Sequence, residues 1–390
     1  MLLCDMTKPG YDFPKTRYEE MSVMENRKKE SSAFAEMVVR SQAPADPKNL
    51  DWDALGFAPL VTAAMTGSIC GATGHFEEPA TVASGSLVLP PHATVLNYGQ
   101  ALFEGLKARR GQDGKIRIFR LKDNAKRMRD GAERFMLAAP SESLFVEAVL
   151  ACVRANIDYV PPCGKGSLYI RPMLLGTGRT LGLSPSPETL FVVYVNPVGL
   201  YFKGLSPISI LVCEEHQRAA ERGTGHSKAA GNYAPCFKPT ASAKAAGFAD
   251  LLYLDHEGRR IEEVGSANLC AIKGKTLFVA DSPSILPGIT RDSVECLAHE
   301  RFGMETLRGE LSLDQVLGKG RFASDGKVEE LFCTGTAAIV SPIGRVTFRG
   351  EETVFGLGEV GDMTRRLHDE LDGIQTGLIP DDHGWTTIVA

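Results

Sequence analysis

The twelve-residue stretch "GTGHSKAAGNYA", from Gly223 to Ala234, combines three glycines with one lysine, one tyrosine and little side-chain volume. Glycine allows a backbone to approach another group closely. A P-loop lysine is preceded by Gly and followed by Ser or Thr, whereas Lys228 lies between Ser227 and Ala229. A lysine with small neighbours is instead accessible to an aldehyde, as Schiff-base chemistry requires. The alternative for this motif alone is a solvated lysine.

The whole chain has the composition of an ordinary globular protein. It has 390 residues, of which 43% are hydrophobic and 23% charged, and this length is typical of two domains. A net charge of -5 without a long basic tract argues against nucleic acid or an anionic membrane as a partner. No apolar run approaches the roughly eighteen residues of a membrane span.

The nine cysteines are scattered, and no two of them form a Cys-x-x-Cys pair. This pattern favours a reducing compartment over a disulfide framework, and it predicts no structural zinc site. Residues 1–48 form a polar extension with eight acidic and eight basic residues, in which residues 18–40 have a possible helical pattern. Transit peptides are poor in acidic residues, so the composition does not favour one.

Seven segments have the β-branched and aromatic residues, or the alternation, that are typical of strands. They are KIRIFRL (115–121), SLYIRPMLL (167–175), TLFVVYVNP (189–197), ISILVCEE (208–215), DLLYLD (250–255), NLCAI (268–272) and KTLFVA (275–280). Helical patterns are fewer, which predicts a mixed α+β protein and disfavours a doubly wound sheet.

Helices are predicted at 123–136, 232–246, 291–301 and 361–373, with Asp123 as the N-cap of the first. Pro239 should kink or shorten the second helix. Glycine and proline punctuate residues 198–207, so we place the domain boundary there. The predicted organisation is an extension (1–48), a first domain (49–200), a loop (201–207) and a second domain (208–390).

Three further segments suggest a site, although each also has an ordinary structural explanation. "ILPGITRDS" (285–293) leads from a turn into a helix, whose free amides are suited to an anion. "CTGTAAIVSP" (333–342) is a second loop of small residues, and "IEEVGSANL" (261–269) places two carboxylates before a glycine. Alone, these patterns indicate only turns and a solvated strand end.

Two arginines differ in how unusual their setting is. Arg127 lies on a basic helical face, which is usually solvated surface. Arg171 lies inside the apolar segment "LYIRPML", where a buried charge must be paired or must face a ligand.

Taken together and in order, the motifs are far more specific. The set is NYGQALFEGLKA, SLYIRP, PVGLYF, GTGHSKAAGNY, EEVGSANL, LPGITR and TGTAA. It resembles the branched-chain amino-acid aminotransferases, which are fold-type IV pyridoxal-phosphate enzymes, and is most similar to the plant-type members. The resemblance runs from about Leu50 to the C-terminus. It implies a two-domain α+β fold, with a smaller N-terminal α/β domain and a larger C-terminal mixed-sheet domain that binds the cofactor.

The resemblance also implies roles for the residues that would bind pyridoxal 5'-phosphate. Lys228 would hold the cofactor covalently and act as the catalytic base. Glu263 would face the pyridine nitrogen and Tyr233 the phenolic oxygen. The phosphate would be held by Arg127 and by the group Ser266, Ile289, Thr290 and Thr336.

On the substrate side, the family's pocket corresponds to Tyr98, Tyr169, Arg171, Tyr201, Thr336 and Ala337. Leu181 and Leu183 match a loop that reaches the neighbouring subunit's site, which implies a homodimer. "TAAM" (62–65) departs from a common family pattern at the pocket floor. Ala338 and Ser341 occupy the positions of a Cys-x-x-Cys pair that mammalian members carry.

The implied activity is reversible transamination between leucine, isoleucine or valine and 2-oxoglutarate. One alternative shares the fold, namely a D-amino-acid aminotransferase or an aminodeoxychorismate lyase, although these relatives lack the combined "YIRP" and "GNY" pattern. The other is a non-catalytic small-molecule-binding relative, against which the presence of Lys228, Glu263 and Arg127 argues. Methionine-like substrates and the cellular compartment stay open.

Overall fold

The computed structural model describes residues 32–40, 42–199, 205–336 and 339–389. The predicted site residues Tyr201 and Ala337 lie outside these ranges. Of the helical pattern at residues 18–40, the described part contains a helix of four residues, Ala33–Glu36.

The described residues form eight α-helices and nineteen strands. The helices are α1 (Ala33–Glu36), α2 (Thr94–Tyr98), α3 (Leu121–Arg134), α4 (Glu142–Ala155), α5 (Phe237–Ala245), α6 (Ile289–Glu300), α7 (Leu313–Leu317) and α8 (Asp362–Thr376). The strands are β1 (Val38–Val39), β2 (Ala64–Cys70), β3 (Ala80–Ala83), β4 (Ser86–Leu87), β5 (Ala101–Phe103), β6 (Leu106–Arg110), β7 (Ile116–Phe119), β8 (Ser167–Gly176), β9 (Thr189–Val198), β10 (Ile208–Cys213), β11 (Asp250–Leu254), β12 (Ile261–Val264), β13 (Ala267–Lys273), β14 (Thr276–Ala280), β15 (Glu305–Gly309), β16 (Glu330–Gly335), β17 (Ile339–Phe348), β18 (Glu351–Val354) and β19 (Thr386–Ile388).

The first sheet has eight strands in the order β19-β7-β6-β8-β9-β2-β3, with β5 beside β8. Its pairings are antiparallel throughout. Along β8, Leu168 and Ile170 enter the hydrophobic core with residues of α3 and α4. Because side chains alternate along a strand, Tyr169 and Arg171 point to the opposite face. That face belongs to the site described below.

The second sheet has nine strands in the order β12-β11-β10-β17-β16-β13-β14-β15, with β18 beside β17. It is mixed, because β10 runs parallel to both β11 and β17, and β14 runs parallel to β15, whereas the other pairs are antiparallel. One hydrophobic cluster covers strands β10–β13 and α7, and another packs α6 and α8 on the sheet. The mixed second sheet and the α+β class agree with the prediction.

The first sheet also contains a strand from the C-terminal part of the chain, after residue 198. Strand β19, near the C-terminus, pairs with β7, and Thr387 lies opposite Ile118. This long-range pairing returns residues 386–388 to the first sheet, although the sequence analysis assigned them to the second domain. The division at residues 201–207 lies partly outside the described residues and stays a prediction.

Two local predictions need correction. The helix predicted at 232–246 begins only at Phe237, after two short 3-10 turns. Pro239 then lies in the first turn of α5. The N–H groups of a first turn have no acceptor within the helix, so a proline there costs no helical hydrogen bond. Helix α3 begins at Leu121 rather than after Asp123, and Asp123 instead forms an ion pair with Arg120. The strand predictions are confirmed to within a few residues.

Among the described residues, no helix combines the length and the apolar character needed to cross a bilayer.

Candidate active site

A cavity of about 1180 Å³ lies between the two sheets and collects residues from distant parts of the chain. The first sheet contributes Phe103, Tyr169 and Arg171, and the glycine-rich segment contributes Lys228 and Tyr233. Ser266 and Thr336 line it from the second sheet. The glycine-rich segment runs beside β5, since the amide of Phe103 donates to the carbonyl of Lys228 at 3.1 Å.

Lys228 lies at the centre of this cavity. Its Nζ donates to the hydroxyl of Tyr233 at 3.2 Å. Burial, reinforced by the charge of Arg127, lowers the pKa of Lys228 from 10.5 to about 8. The same burial, with the charge of Glu263, raises the pKa of Tyr233 to about 12. Near neutral pH the site therefore holds a neutral phenol and an amine that is mostly protonated but loses its proton far more readily than an ordinary lysine.

Glu263 is the buried carboxylate of the site. Its Oε1 accepts hydrogen bonds from the amide of Leu286 at 2.8 Å and from Nδ2 of Asn268 at 3.1 Å. Its Oε2 lies 2.8 Å from Nε of the buried Arg218. Burial raises the pKa of Glu263, and the charge of Arg218 and the Leu286 amide offset only part of that rise. Because buried carboxylates are rarely left charged without such partners, this set of contacts favours the ionised form.

Arg127 forms the second buried ion pair. Its Nε and Nη2 donate to the two carboxylate oxygens of Glu104 at 2.8 and 2.6 Å. Its Nη1 donates to the carbonyl of Pro287 at 3.0 Å. The guanidinium is therefore fixed against the turn that leads into α6, and its remaining N–H groups are available to a ligand.

The N-terminus of α6 lies beside Arg127. Gly288 is its N-cap and makes no side-chain capping bond, so the first amides of the helix, at Ile289 and Thr290, are unpaired within the helix. Both residues line a small cavity together with Thr336 and Lys107. Burial lowers the pKa of Lys107 to about 7. This end of the site has the amides, the arginine and the hydroxyl groups that bind a phosphate.

Arg171 lines the cavity from strand β8. Its Nη2 donates to the hydroxyl of Tyr169 at 3.0 Å. The guanidinium carbon lies 4.6 Å from the ring centroid of Phe103 and 5.2 Å from that of Tyr169. No carboxylate of the described residues lies within ion-pair distance of Arg171.

Ser266 and Thr336 approach the cavity from two loops of small residues. The Thr336 hydroxyl donates to the carbonyl of Gly105 at 3.1 Å, which joins the second sheet to the segment after β5. A Cβ at Gly105 would lie 2.3 Å from the Tyr169 hydroxyl oxygen, so a larger residue there would displace the Tyr169 side chain from its present position. Ser266 is exposed on the cavity wall.

Tyr98, Leu181 and Leu183 are not brought to this cavity. All three are exposed, and the hydroxyl of Tyr98 donates to the carbonyl of Leu181 at 2.6 Å. Tyr98 and Leu183 line a separate surface cavity of about 300 Å³. The hydrogen bond unites residues 83 positions apart in one surface element.

The sequence analysis missed three residues of the site. Phe103 and Glu104 lie within the quoted motif "NYGQALFEGLKA". The position of the charged Glu104 between the apolar residues Phe103 and Leu106 could have indicated a buried, paired carboxylate. Arg218 lies in the polar segment "EEHQRAAERG", which carries no signal of burial. Both charged residues are buried, with Glu104 completely inaccessible to solvent.

The residues present fit a phosphorylated pyridine cofactor. The amine of Lys228 and the phenol of Tyr233 line one cavity, and the carboxylate of Glu263 lies near enough to shift the pKa values of both. The N-terminus of α6 lines the adjoining small cavity, which shares Gly105 and Thr336 with the large one. Gly335 leaves room for a flat ring, because a Cβ added there would meet only Ala267, at 3.8 Å. The donor set thus matches an aldehyde, a hydroxyl, a ring nitrogen and a phosphate.

Comparison with known proteins gives consistent similarities. A model of the amino-transferase class IV family matches residues 101–346. A chloroplastic branched-chain-amino-acid aminotransferase of Arabidopsis thaliana is 44% identical over 342 residues, or 87% of this chain and 80% of that protein. A mitochondrial branched-chain amino acid aminotransferase of Humulus lupulus is 40% identical over 87% of this chain and 84% of its own.

A third relative and one solved structure extend these similarities. A methionine aminotransferase of Arabidopsis thaliana is 39% identical over 87% of this chain and 93% of its own. A crystal structure of the T.th. branched-chain amino acid aminotransferase with pyridoxamine 5'-phosphate superposes with a TM-score of 0.70 at 26% identity, and covers 85% of this chain and 100% of that chain.

Proposed function

The chain belongs to the branched-chain aminotransferases of the amino-transferase class IV family, and we propose how its own residues carry out the reaction of that family. The protein is a pyridoxal-phosphate-dependent enzyme that transfers an amino group between branched-chain amino acids and 2-oxo acids. The observation that supports this function most directly is the lysine of lowered pKa, 3.2 Å from Tyr233, in a cavity that also contains Arg171.

Lys228 is the catalytic base of the proposal. The bound cofactor supplies the electron sink that makes the substrate Cα acidic. Lys228 would take the proton from the substrate Cα and deliver it to C4′ of the cofactor, and its pKa of about 8 suits both proton uptake and proton release near neutral pH. Tyr233 holds the amine in place through its hydroxyl.

Two buried ion pairs position the cofactor. Glu263 would face the pyridine nitrogen of the bound cofactor and keep it protonated, and Arg218 would help to keep Glu263 ionised. Arg127, oriented by Glu104, directs its free N–H groups to the phosphate together with the amides of Ile289 and Thr290.

The substrate end accommodates two kinds of side chain. The rings of Phe103 and Tyr169 provide apolar surface for leucine, isoleucine or valine. Arg171 pairs with the distal carboxylate of glutamate or 2-oxoglutarate, which an apolar pocket alone would reject. The resemblance assigns the amides of the Thr336–Ala337 turn to the substrate α-carboxylate, and the position of Thr336 on the cavity wall supports that role.

We further propose that the enzyme is a homodimer. Tyr98, Leu181 and Leu183 form an exposed apolar element away from their own chain's cavity, so they are placed to complete the site of a partner subunit. The eight cysteines in the described ranges are all free thiols, which supports a reducing compartment. Cytoplasm, plastid and mitochondrial matrix all satisfy this condition.

A substrate panel tests the proposed function. Addition of leucine, isoleucine or valine to the purified holoenzyme should bleach the visible absorbance of the bound cofactor, and 2-oxoglutarate should restore it. Methionine belongs in the panel because a methionine aminotransferase is 39% identical to this chain. Bleaching by D-amino acids alone, or by none of these substrates, would contradict the proposal.

A further inference from the structure

Three side chains with metal-binding atoms meet outside the cavity, at the far end of α6. Cys296 and Glu300 lie one helical turn apart on the same face of α6. His383 approaches them from the turn that precedes β19. The Cys296 Sγ lies 3.3 Å from Oε1 of Glu300, and the His383 Nε2 lies 3.6 Å from Oε2 of Glu300. The three ligand atoms all lie within 4.8 Å of one another.

These separations suit a tetrahedral metal ion. Zinc is bound by thiolate, imidazole and carboxylate at about 2.0–2.3 Å, which places neighbouring ligand atoms about 3.3–3.5 Å apart. The Cys296 Sγ to Glu300 Oε1 separation of 3.3 Å matches this spacing, and the His383 Nε2 to Glu300 Oε2 separation of 3.6 Å lies close to it, so the carboxylate presents one oxygen to each of the other two ligands. A thiolate and a carboxylate together also balance the charge of a divalent ion.

The histidine is already oriented for such a role. Its ring stacks on Trp385 with centroids 4.1 Å apart and planes inclined by 15°. Asp381 fixes the turn, because its carboxylate accepts hydrogen bonds from the amides of Trp385 at 3.0 Å and Thr386 at 2.7 Å. A ligand held by its neighbours loses little conformational freedom on binding.

We propose that Cys296, Glu300 and His383 form a binding site for a borderline divalent cation such as Zn²⁺, with one coordination position open to water. Binding releases the thiol proton of Cys296 to solvent. The ion joins α6, whose first residues belong to the phosphate site, to the segment that carries β19 into the first sheet. This site is independent of the proposed transamination. It needs only one cysteine, so the absence of Cys-x-x-Cys pairs from the sequence did not reveal it.

The test uses the holoenzyme, stripped of metal by a chelator and then dialysed against Co²⁺. Tetrahedral Co²⁺ has intense d–d absorption at wavelengths longer than those of the cofactor. We expect one Co²⁺ per chain, displaced by Zn²⁺ but not by Mg²⁺, which prefers oxygen ligands. C296S and H383Q should each weaken binding by at least about tenfold, because loss of a group that merely orients a metal ligand already costs about 10- to 100-fold.

Two variants serve as matched controls. C163S removes an exposed cysteine outside the cluster, and H256Q removes a histidine that lies 2.9 Å from the Glu221 carboxylate and belongs to no group of three metal-binding side chains among the described residues. Both should bind Co²⁺ as the original protein does. The proposal is overturned if no tetrahedral absorption develops, if it persists in C296S and H383Q, or if the controls abolish it too.

Trp385 provides a second readout that does not depend on activity. The chain has two tryptophans, so Trp52→Phe isolates the fluorescence of Trp385. Co²⁺ at His383 should quench this fluorescence, and the quenching should disappear in the W52F/H383Q protein. Equal quenching in both proteins would contradict coordination by His383.

Discussion

The two ends of the cavity differ in how their buried charges are matched. At the cofactor end, Arg127 is paired with Glu104 at 2.6 Å, and Arg218 with Glu263 at 2.8 Å. At the substrate end, Arg171 contacts the Tyr169 hydroxyl and two aromatic rings, and among the described residues no carboxylate neutralises it. The Nε atoms of Arg171 and Arg218 are both buried without a described hydrogen bond, but that of Arg218 lies 2.8 Å from a carboxylate oxygen of Glu263, whereas no carboxylate of the described residues accompanies Arg171.

The two groups of arginines therefore have different roles. Arg127 and Arg218 are always paired with a carboxylate of the protein, whereas Arg171 is paired only when an anionic substrate binds. A paired arginine has a constant orientation and little net charge, which suits a cofactor that stays bound. An arginine without a carboxylate lowers the free energy of an incoming anion, because that anion supplies the missing partner. Its contacts with ring faces stabilise the cation in the meantime and tolerate an aliphatic side chain beside it. The division can be tested at each end of the cavity, and the largest effect is expected at the lysine between them.

Lys228→Ala should remove the amine that binds the cofactor covalently and acts as the catalytic base. We expect loss of covalent cofactor attachment and a fall in turnover of at least about 10²–10⁴, the usual contribution of a general base. Borohydride reduction followed by peptide mapping measures the attachment. Lys244→Ala is the control, since Lys244 lines the same cavity. A label found on Lys244 or Lys238 would refute the assignment of Lys228.

Glu263→Gln should break the ion pair with Arg218 without releasing the cofactor. The cofactor should stay bound through Arg127 and the α6 amides, whereas turnover should fall by about 10²–10³, as for the loss of one group that stabilises transition-state charge. The neighbouring Glu262 is buried as well, which makes Glu262→Gln a matched control. Greater damage from Glu262→Gln would shift the functional register of "IEEVG" by one residue.

Arg171→Met should weaken only the binding of substrates that have a distal carboxylate. Loss of a charged hydrogen-bond partner costs about 1.5–3 kcal/mol, or about ten- to a hundredfold in affinity, and only the substrate with a distal carboxylate uses that partner. Stopped-flow measurement of each half-reaction should therefore show weaker 2-oxoglutarate binding and a nearly unchanged leucine reaction. Equal losses in both half-reactions would make Arg171 a structural residue of β8.

The pH dependence of cofactor attachment should report the environment of Lys228. Its pKa is lowered to about 8, so the amine is protonated and unreactive below this pH and neutral above it. The rate at which the apoprotein attaches the cofactor should rise with pH up to about 8 and then level off. A lysine exposed to solvent would give a rate that still rises beyond pH 10, near its ordinary pKa of about 10.4. Reconstitution followed by absorbance distinguishes the two profiles.

Mild oxidation should have the smallest effect at either end. Cys333 lines the cavity, but burial raises the pKa of its thiol to about 12, so almost no reactive thiolate is present. Activity should survive peroxide treatment, and modification should appear first at the exposed Cys163. Inactivation that dithiothreitol reverses, mapped to Cys333, would contradict this expectation.

Local patterns in the chain were enough to establish the family, the α+β class and the residues expected to carry the chemistry. Ordered motifs are local, and so is the alternation in "SLYIRPMLL" that directs Tyr169 and Arg171 to one face of β8. The core-facing spacing of Leu121, Ala125 and Met128 in α3 is equally local. Such features follow from strand and helix periods and therefore need no knowledge of distant neighbours.

The partners of those residues, by contrast, came from the packing of the folded chain. The hydrogen bond of Arg127 to Pro287 spans 160 positions, and the pairing of β19 with β7 joins residues more than 260 positions apart. Packing also brought Tyr98 to Leu181 on the surface instead of into its own chain's cavity. A periodic pattern indicates which face of a segment is buried but not which distant segment covers it. The partners of Glu104 and Glu263 were therefore inaccessible to sequence reasoning, because each carboxylate meets its arginine only when the strands, loops and helices around its own sheet pack together.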